Sequence, residues 1–215
     1  MPFSDRRDAG ERLAETLDEH DVGADVVVAV PRGGVPVGRI VADELGVPLG
    51  VVVAKKLGAP NNPELAIGAV AADGSIWRND GLIRRLRVDE PYVEAERQRV
   101  ARIAREKQDR YVVGDPVDVA EKRVVVVDDG VATGATMFAC VESLRNAGAA
   151  WVTVAVPVAP PGTVEELRTV ADDVIAVETP PHFAAVGQFY DQFGQVSDEE
   201  AIAHLRRPRR GAPGA

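Results

Sequence analysis

Two adjacent carboxylates, Asp128 and Asp129, stand between a run of four valines and a loop of small residues, Gly130-Val131-Ala132-Thr133-Gly134-Ala135-Thr136. A short Gly/Thr loop that opens a helix gathers backbone N–H groups into a cup suited to a phosphate. Carboxylates on the rim of that cup repel a bare polyphosphate but accept hydrogen bonds from neutral hydroxyls. Vicinal ribose hydroxyls beside a 5′-phosphate answer both halves of the pattern. Two familiar nucleotide loops do not. A Walker loop requires a lysine before the last Ser or Thr, and here Ala135 precedes Thr136. A dinucleotide fingerprint requires Gly-x-Gly-x-x-Gly after the first strand, and Gly33, Gly34 and Gly38 have other spacings.

The elements that must position these residues follow from hydrophobic patterning. Val124 to Val127 is too continuously β-branched for a half-exposed strand and is expected to be a buried parallel one. Met137, Val141 and Leu144 then recur at helical spacing, closed by Gly148. The same strand-then-helix grammar is repeated. A helix over residues 5–20 carries Ala9, Leu13 and Leu17 behind a Ser4 cap, and Asp25 to Val30 is a buried strand stopped by Pro31-Arg32-Gly33-Gly34. A helix begins near Pro36 and ends at Gly46, and Val47 to Val53 is a strand.

Lys55 to Glu64, with two prolines, two asparagines and a glycine, is expected to be an irregular polar loop. Ala66 to Ala71 and Ser75 to Trp77 form a small hairpin about Asp73-Gly74. From Pro91 to about Tyr111 runs a charged helix, expected to be a solvated, ion-paired face. A strand over 150–157, a helix over 163–170 and a strand over 174–177 complete the set. The alternation predicts a doubly wound α/β sheet whose ligand crevice lies at the carboxyl ends of its strands. One domain over 1–205 is expected, with a hairpin and lid at about 55–90, a hood at about 178–200 and a disordered basic tail from 206.

Composition narrows the class. A net charge of −9 argues against a nucleic-acid or membrane-surface binder. Cys140 is the single cysteine, set in a helical pattern where it acts as a small buried hydrophobe. His20, His182 and His204 are scattered, so no metal site is expected from protein ligands. The amino terminus has no apolar signal core and no stretch is long enough to span a bilayer, so a cytoplasmic location is expected.

The segment Val124 to Thr136 resembles the diphosphoribose-binding signature of type I phosphoribosyltransferases: an apolar strand, two acids and Thr-Gly-x-Thr at the family spacing. Pro31-Arg32-Gly33-Gly34 resembles that family's pyrophosphate loop, and Lys55-Lys56 with the Pro/Asn run its basic strand end and flexible lid. Lys56 to Pro60, Pro63 to Gly68 and Phe189 to Phe193 look like a branch of functionally unassigned members.

The resemblance implies an enzyme, a pentosyltransferase of nucleotide salvage, that binds phosphoribosyl diphosphate (PRPP) with Mg²⁺ and transfers the sugar to a nitrogenous acceptor. It implies roles for Asp128 and Asp129 in catalysis and ribose binding, for Gly130 to Thr136 in 5′-phosphate binding, and for Arg32, Gly33, Gly34, Lys55 and Lys56 in pyrophosphate binding. Phe183 and Tyr190 would form the acceptor hood. Mg²⁺ would ride on substrate oxygens, and a homodimer is the family's usual state. Guanine-type members carry an acid where this chain has Ala132, which leaves the acceptor open. The competing expectation is a non-catalytic PRPP sensor.

Overall fold

In a computed structural model that describes residues 2–207, five strands form one parallel sheet in the order β2-β1-β6-β7-β8. They are β1 (Val26–Ala29), β2 (Leu49–Val51), β6 (Arg123–Val127), β7 (Trp151–Val158) and β8 (Asp173–Glu178). The valine runs explain why the sheet is covered on both faces. Alternate side chains of a strand point to opposite sides. Val26, Val28, Val124 and Val126 accordingly enter one core with Met137, Cys140, Val141 and Leu144 of α5 (Ala135–Asn146). Val27, Val125 and Val127 enter the other, against α1 (Arg6–Glu19) and α2 (Gly34–Glu44) through Leu13, Leu17, Val37 and Val41.

A second, antiparallel sheet stands beside the first: β3 (Ala54–Ala59), β4 (Asn62–Ala71) and β5 (Ile76–Arg78), in that order. The expected hairpin at Asp73-Gly74 is its β4–β5 turn, with the Asp73 carboxylate accepting from Ser75 N at 3.0 Å. The expected irregular loop at 55–64 is instead a hairpin, because β3 and β4 pair from Ala54↔Ala71 to Ala59↔Asn62. Gly58 makes this compatible with Pro63: a Cβ at Gly58 would lie 2.6 Å from the Pro63 carbonyl oxygen, and the register shifts on both sides of Gly58. Helix α4 (Glu90–Tyr111) seals this sheet, with Val93 and Val100 packed on Leu57, Ile67 and Val70.

Smaller differences concern ends and caps. The cap of α1 is Asp5, whose carboxylate accepts from Arg7 N and Asp8 N at 2.8 and 3.0 Å, rather than Ser4. Helix α6 spans Pro161–Leu167, a turn short of the expected end. Two helices lie outside those expectations: α3 (Asp80–Leu86), and α7 (Asp198–Arg206), which opens on a Ser197–Glu200 capping box. Arg206 therefore ends a helix, and the expected basic tail beyond residue 207 lies outside the described residues. No helix among the described residues is long and apolar enough to cross a membrane.

Candidate active site

In the sheet order, β1 lies between β2 and β6, so the chain leaves β1 and β6 at the switch point where an open α/β sheet parts its loops. Pro31 to Gly34 follows one strand and Asp128-Asp129 the other, joined at their base by Val30 N donating to Val127 O at 2.9 Å. The two turns touch. A Cβ at Gly33 would sit 2.0 Å from Asp129 Oδ2, and one at Gly34 2.7 Å from the Val127 carbonyl oxygen. Any side chain there would part the loop from the acids, which is the physical reason for two glycines.

Beyond the acids, Val131 N donates to Val158 O at 2.9 Å, and Thr163 Oγ1 donates to the Ala132 carbonyl at 2.7 Å. These bonds fix the loop from behind. Gly134 has φ +76°, and a Cβ there would lie 2.8 Å from the Phe138 ring, so the turn demands glycine twice over. Helix α5 then begins with no side-chain cap, leaving its first N–H groups for a ligand. Thr133 is exposed on this rim and Thr136 half-buried.

The acid pair is electrostatically costly. Burial is the main cause that pushes Asp128 well above the ordinary carboxylate range, and the adjacent Asp129 charge adds to it. Burial raises Asp129 as well, opposed by Arg6. The Arg6 guanidinium donates from Nε to Asp129 Oδ2 at 2.8 Å and from Nη1 to Gly194 O at 2.7 Å, and it lies 4.0 Å from the centroid of the Phe193 ring. Arg6 lies 123 residues from Asp129, and no local pattern marks it.

The lysines part company. As strand neighbours, Lys55 and Lys56 face opposite ways. Lys56 lines an open cavity of about 480 Å³ with Thr133 and Ala135, while Lys55 lies with Arg32 around Lys107 of α4. Lys107 donates to the Pro31 carbonyl at 2.9 Å; burial first, then Lys55 and Arg32, hold its pKa down, against Asp198 and Asp128. Three cations therefore gather around the loop after β1. The face of α4 expected to be merely solvated contains one of them, and its sequence signal is a lysine set in the stripe Val100, Ala104, Lys107, Tyr111. Arg32 reaches Asp198 at 3.4 Å, and Asp198 accepts from Tyr111 OH at 2.6 Å.

The hood is built as a core of its own. Phe3 pairs with the segment after the short 3₁₀ turn Val186–Phe189, and Phe3, Val158 and Tyr190 are buried together. Tyr190 OH donates to the Asp129 carbonyl at 2.5 Å, and its ring packs on Phe3 and Phe193. At 6% exposure Tyr190 has no open face for a base; it holds the acid turn instead. Phe183 is half-buried against Phe189, with centroids 4.9 Å apart.

A family model described as the phosphoribosyl transferase domain matches residues 5–193. Two Mycobacterium tuberculosis proteins, from strains CDC 1551 / Oshkosh and ATCC 25618 / H37Rv, are named only provisionally as phosphoribosyl transferases. Each is 42% identical over 210 residues, which is 97% of this chain and 47% of the relative. This chain thus spans about half the length of the curated relatives it matches. The crystal structure of TT1426 from Thermus thermophilus matches with a TM-score of 0.81 and 44% identity, over 95% of this chain and 98% of that one. With the parallel five-stranded sheet, the small antiparallel sheet and a family match over most of its length, the chain belongs to the phosphoribosyl transferase domain family and has its type I fold.

Proposed function

We propose that the protein binds PRPP with Mg²⁺ and transfers the phosphoribosyl group to a nitrogenous acceptor, releasing pyrophosphate. The observation that carries this reading is the contact between the Pro31–Gly34 loop and the acid pair, with Gly33 pressed on Asp129. It sets a cationic loop and a hydroxyl-accepting carboxylate pair side by side, next to the uncapped start of α5.

In this assignment Asp128 and Asp129 accept from the ribose hydroxyls. The N–H groups of Gly130 to Thr136, with the Thr133 and Thr136 hydroxyls, hold the 5′-phosphate. Arg32, Lys55 and Lys107 face the diphosphate, and Lys56 serves the Thr133 side. The acceptor nitrogen forms a bond to the anomeric carbon while the bond to the diphosphate oxygen breaks. The electron pair leaves with pyrophosphate, and the acceptor loses a proton. Positive charge develops on the sugar beside the carboxylates and negative charge on the leaving group beside the cations, so the site is complementary to charge separation.

No cluster of three or more His, Cys, Asp or Glu suited to a metal is present among the described residues. That donor set fits Mg²⁺ held mainly by substrate oxygens and water, with Asp128 and Asp129 supplying nearby negative charge. When bound, the ion would neutralise the leaving group. Lid movement would centre on the exposed β3–β4 tip at Pro60 to Glu64, because Leu57, Ile67 and Val70 are core residues. Ala132 offers no side-chain polar group to a base, so the acceptor is to be found by assay.

Incubation with PRPP, Mg²⁺ and a panel of purine and pyrimidine bases, read as pyrophosphate release, tests the proposal. Release dependent on one acceptor is expected. Binding of PRPP by calorimetry with no turnover on any base would favour the sensor, and absence of PRPP binding would end both.

A further inference from the structure

Of the two acids, Asp129 is the one in a salt bridge among the described residues. Asp128 Oδ1 accepts instead from a backbone group, Asp129 N, at 2.8 Å. Lys107 acts on Asp128 through its charge, while its ammonium donates to the Pro31 carbonyl. The salt bridge to Asp129 is no surface pair, since the Arg6 and Asp129 side chains are 14% and 13% exposed. Three contacts fix the guanidinium that makes it. Nε donates to Asp129 Oδ2 at 2.8 Å, Nη1 donates to Gly194 O at 2.7 Å, and the centroid of the Phe193 ring lies 4.0 Å away. The chain just before α1 is laced to the same hood segment, with Asp191 N donating to Phe3 O at 2.8 Å and Gln192 N to Ser4 O at 3.0 Å.

Such a contact answers a need of a sugar site. The terminal torsion of an aspartate is broad, so an untethered carboxylate spreads its oxygens over many positions. A ribose hydroxyl bonds well to only a few of them. Arg6 pins Oδ2, and the backbone of Gly33 closes one side of the carboxylate, since a Cβ there would lie 2.0 Å from Oδ2 and 3.0 Å from Oδ1. Arg6 is also the largest cause opposing the burial that raises the Asp129 pKa. A carboxylate that keeps its charge accepts a hydroxyl about twice as strongly as a neutral acid does.

We propose that Arg6 is a positioning residue for the sugar, which fixes the Asp129 carboxylate so that Oδ1 meets a ribose hydroxyl and does not itself touch the substrate. The hood then serves the sugar as well as the acceptor. Tyr190 holds the backbone of Asp129 through its carbonyl, and Arg6 links the Phe193–Gly194 end of the hood to its side chain. A change at Phe193 is therefore felt at the ribose and not at the diphosphate, whose cations Arg32, Lys55 and Lys107 stand on the loop after β1, on β3 and on α4. This role rests on the PRPP reading above.

The test is calorimetric titration of the full chain with the two halves of the donor taken separately, ribose 5-phosphate and magnesium pyrophosphate. Arg6→Met should weaken ribose 5-phosphate about tenfold and leave pyrophosphate within about twofold, and Arg6→Lys, which returns a cation to Asp129, should recover most of the loss. Equal losses for both ligands, an unchanged sugar affinity in Arg6→Met, or an Arg6→Lys variant that binds the sugar no better than Arg6→Met each overturn the proposal. Phe193→Leu keeps the salt bridge and removes only the ring against the guanidinium, so it decides the case should Arg6→Met fail to fold. A loss of about threefold confined to ribose 5-phosphate is expected there, and the absence of a sugar-specific loss overturns the proposal. Wild-type protein that binds neither PRPP nor ribose 5-phosphate overturns the proposed function and this role with it, whereas wild-type binding unmoved by the variants overturns the role alone.

Discussion

The acid turn after β6 and the amino-terminal half of α4 both carry dense charge, and they treat it in opposite ways. On α4, Glu94 is held down to about 2, chiefly by its hydrogen bonds from Arg97 and then Gln98, and Glu96 is lowered by Arg99. These carboxylates sit among partners on a water-facing surface. At the acid turn, burial pushes both carboxylates up; the Asp129 charge adds to the rise of Asp128, while Arg6 first, and then a hydrogen bond with Asp128, oppose that of Asp129. Charge on α4 is held in its preferred state by neighbouring arginines, whereas charge at the turn is held against its burial. A buried, adjacent acid pair whose carboxylates are both pushed up marks a functional site more clearly than the number of charges does.

The hardest blow to this contrast is Arg6→Met. It leaves Asp129 buried without its cation and should cost about 3 kcal/mol in urea unfolding at pH 7. Without Arg6 the folded-state pKa of Asp129 rises further above its unfolded value, so stability is lost as pH rises and regained below about pH 4. A deficit that persists unchanged at pH 4 would mean Arg6 acts through packing on Phe193 alone. Next in size, Gly33→Ala drives a Cβ to 2.0 Å from Asp129 Oδ2 and should lower stability by about 2 kcal/mol while removing PRPP binding. Wild-type affinity in that variant would show that the loop and the acids need not touch.

Lys107→Met tests whether α4 changes character along its length. Loss of one cation from the group around Pro31 should raise the KM for PRPP about tenfold, with the unfolding midpoint little changed because the lysine is itself partly desolvated. An unaltered KM would return Lys107 to the class of surface charges. Asp128→Asn has a smaller effect on stability and an opposite sign. Its folded-state pKa is raised, so the native state loses stability as pH climbs above the unfolded value near 4. The amide should therefore be more stable by about 1 kcal/mol at pH 7 and equal below pH 4, at the expense of sugar binding. Chemical denaturation across that pH range decides it.

What the sequence made legible follows from how local the cause is. The valine runs of β1 and β6, the Asp73-Gly74 turn and the Gly134 helix start are each written in consecutive residues, and the structure has them where local rules place them. The capping box at Ser197 to Glu200 was equally local and available in Ser-Asp-Glu-Glu. Pairing of β3 with β4 across Pro60 and Asn61 was not, because the register depends on Gly58 meeting Pro63 and on α4 closing over both. In the candidate site, the acids, the glycine pair and the phosphate loop are contiguous segments. Arg6 and Tyr190 reach the acid turn from opposite ends of the chain, and only the fold brings them there. Lys107 is intermediate, since its place in an apolar stripe was visible but its partner, the Pro31 carbonyl, was not.

The smallest effect is the control for the whole comparison. Glu94→Gln removes a carboxylate with a strongly lowered pKa, from a surface where two guanidinium bonds at 2.7 and 2.8 Å hold it. Exposed pairs lose most of their Coulomb gain to solvent screening and to the ordering of long side chains. The neutral amide keeps hydrogen-bonding capacity toward Arg97, so the unfolding midpoint at pH 7 should not move measurably, in low or high salt. PRPP binding should be unaffected as well. A marked loss of stability, abolished by high salt, would show that α4 depends on its ion pairs to close over the antiparallel sheet. The apolar contacts of Val93 and Val100 with Leu57 and Val70 would then be insufficient on their own, and the distinction between solvated and functional charge would no longer follow burial.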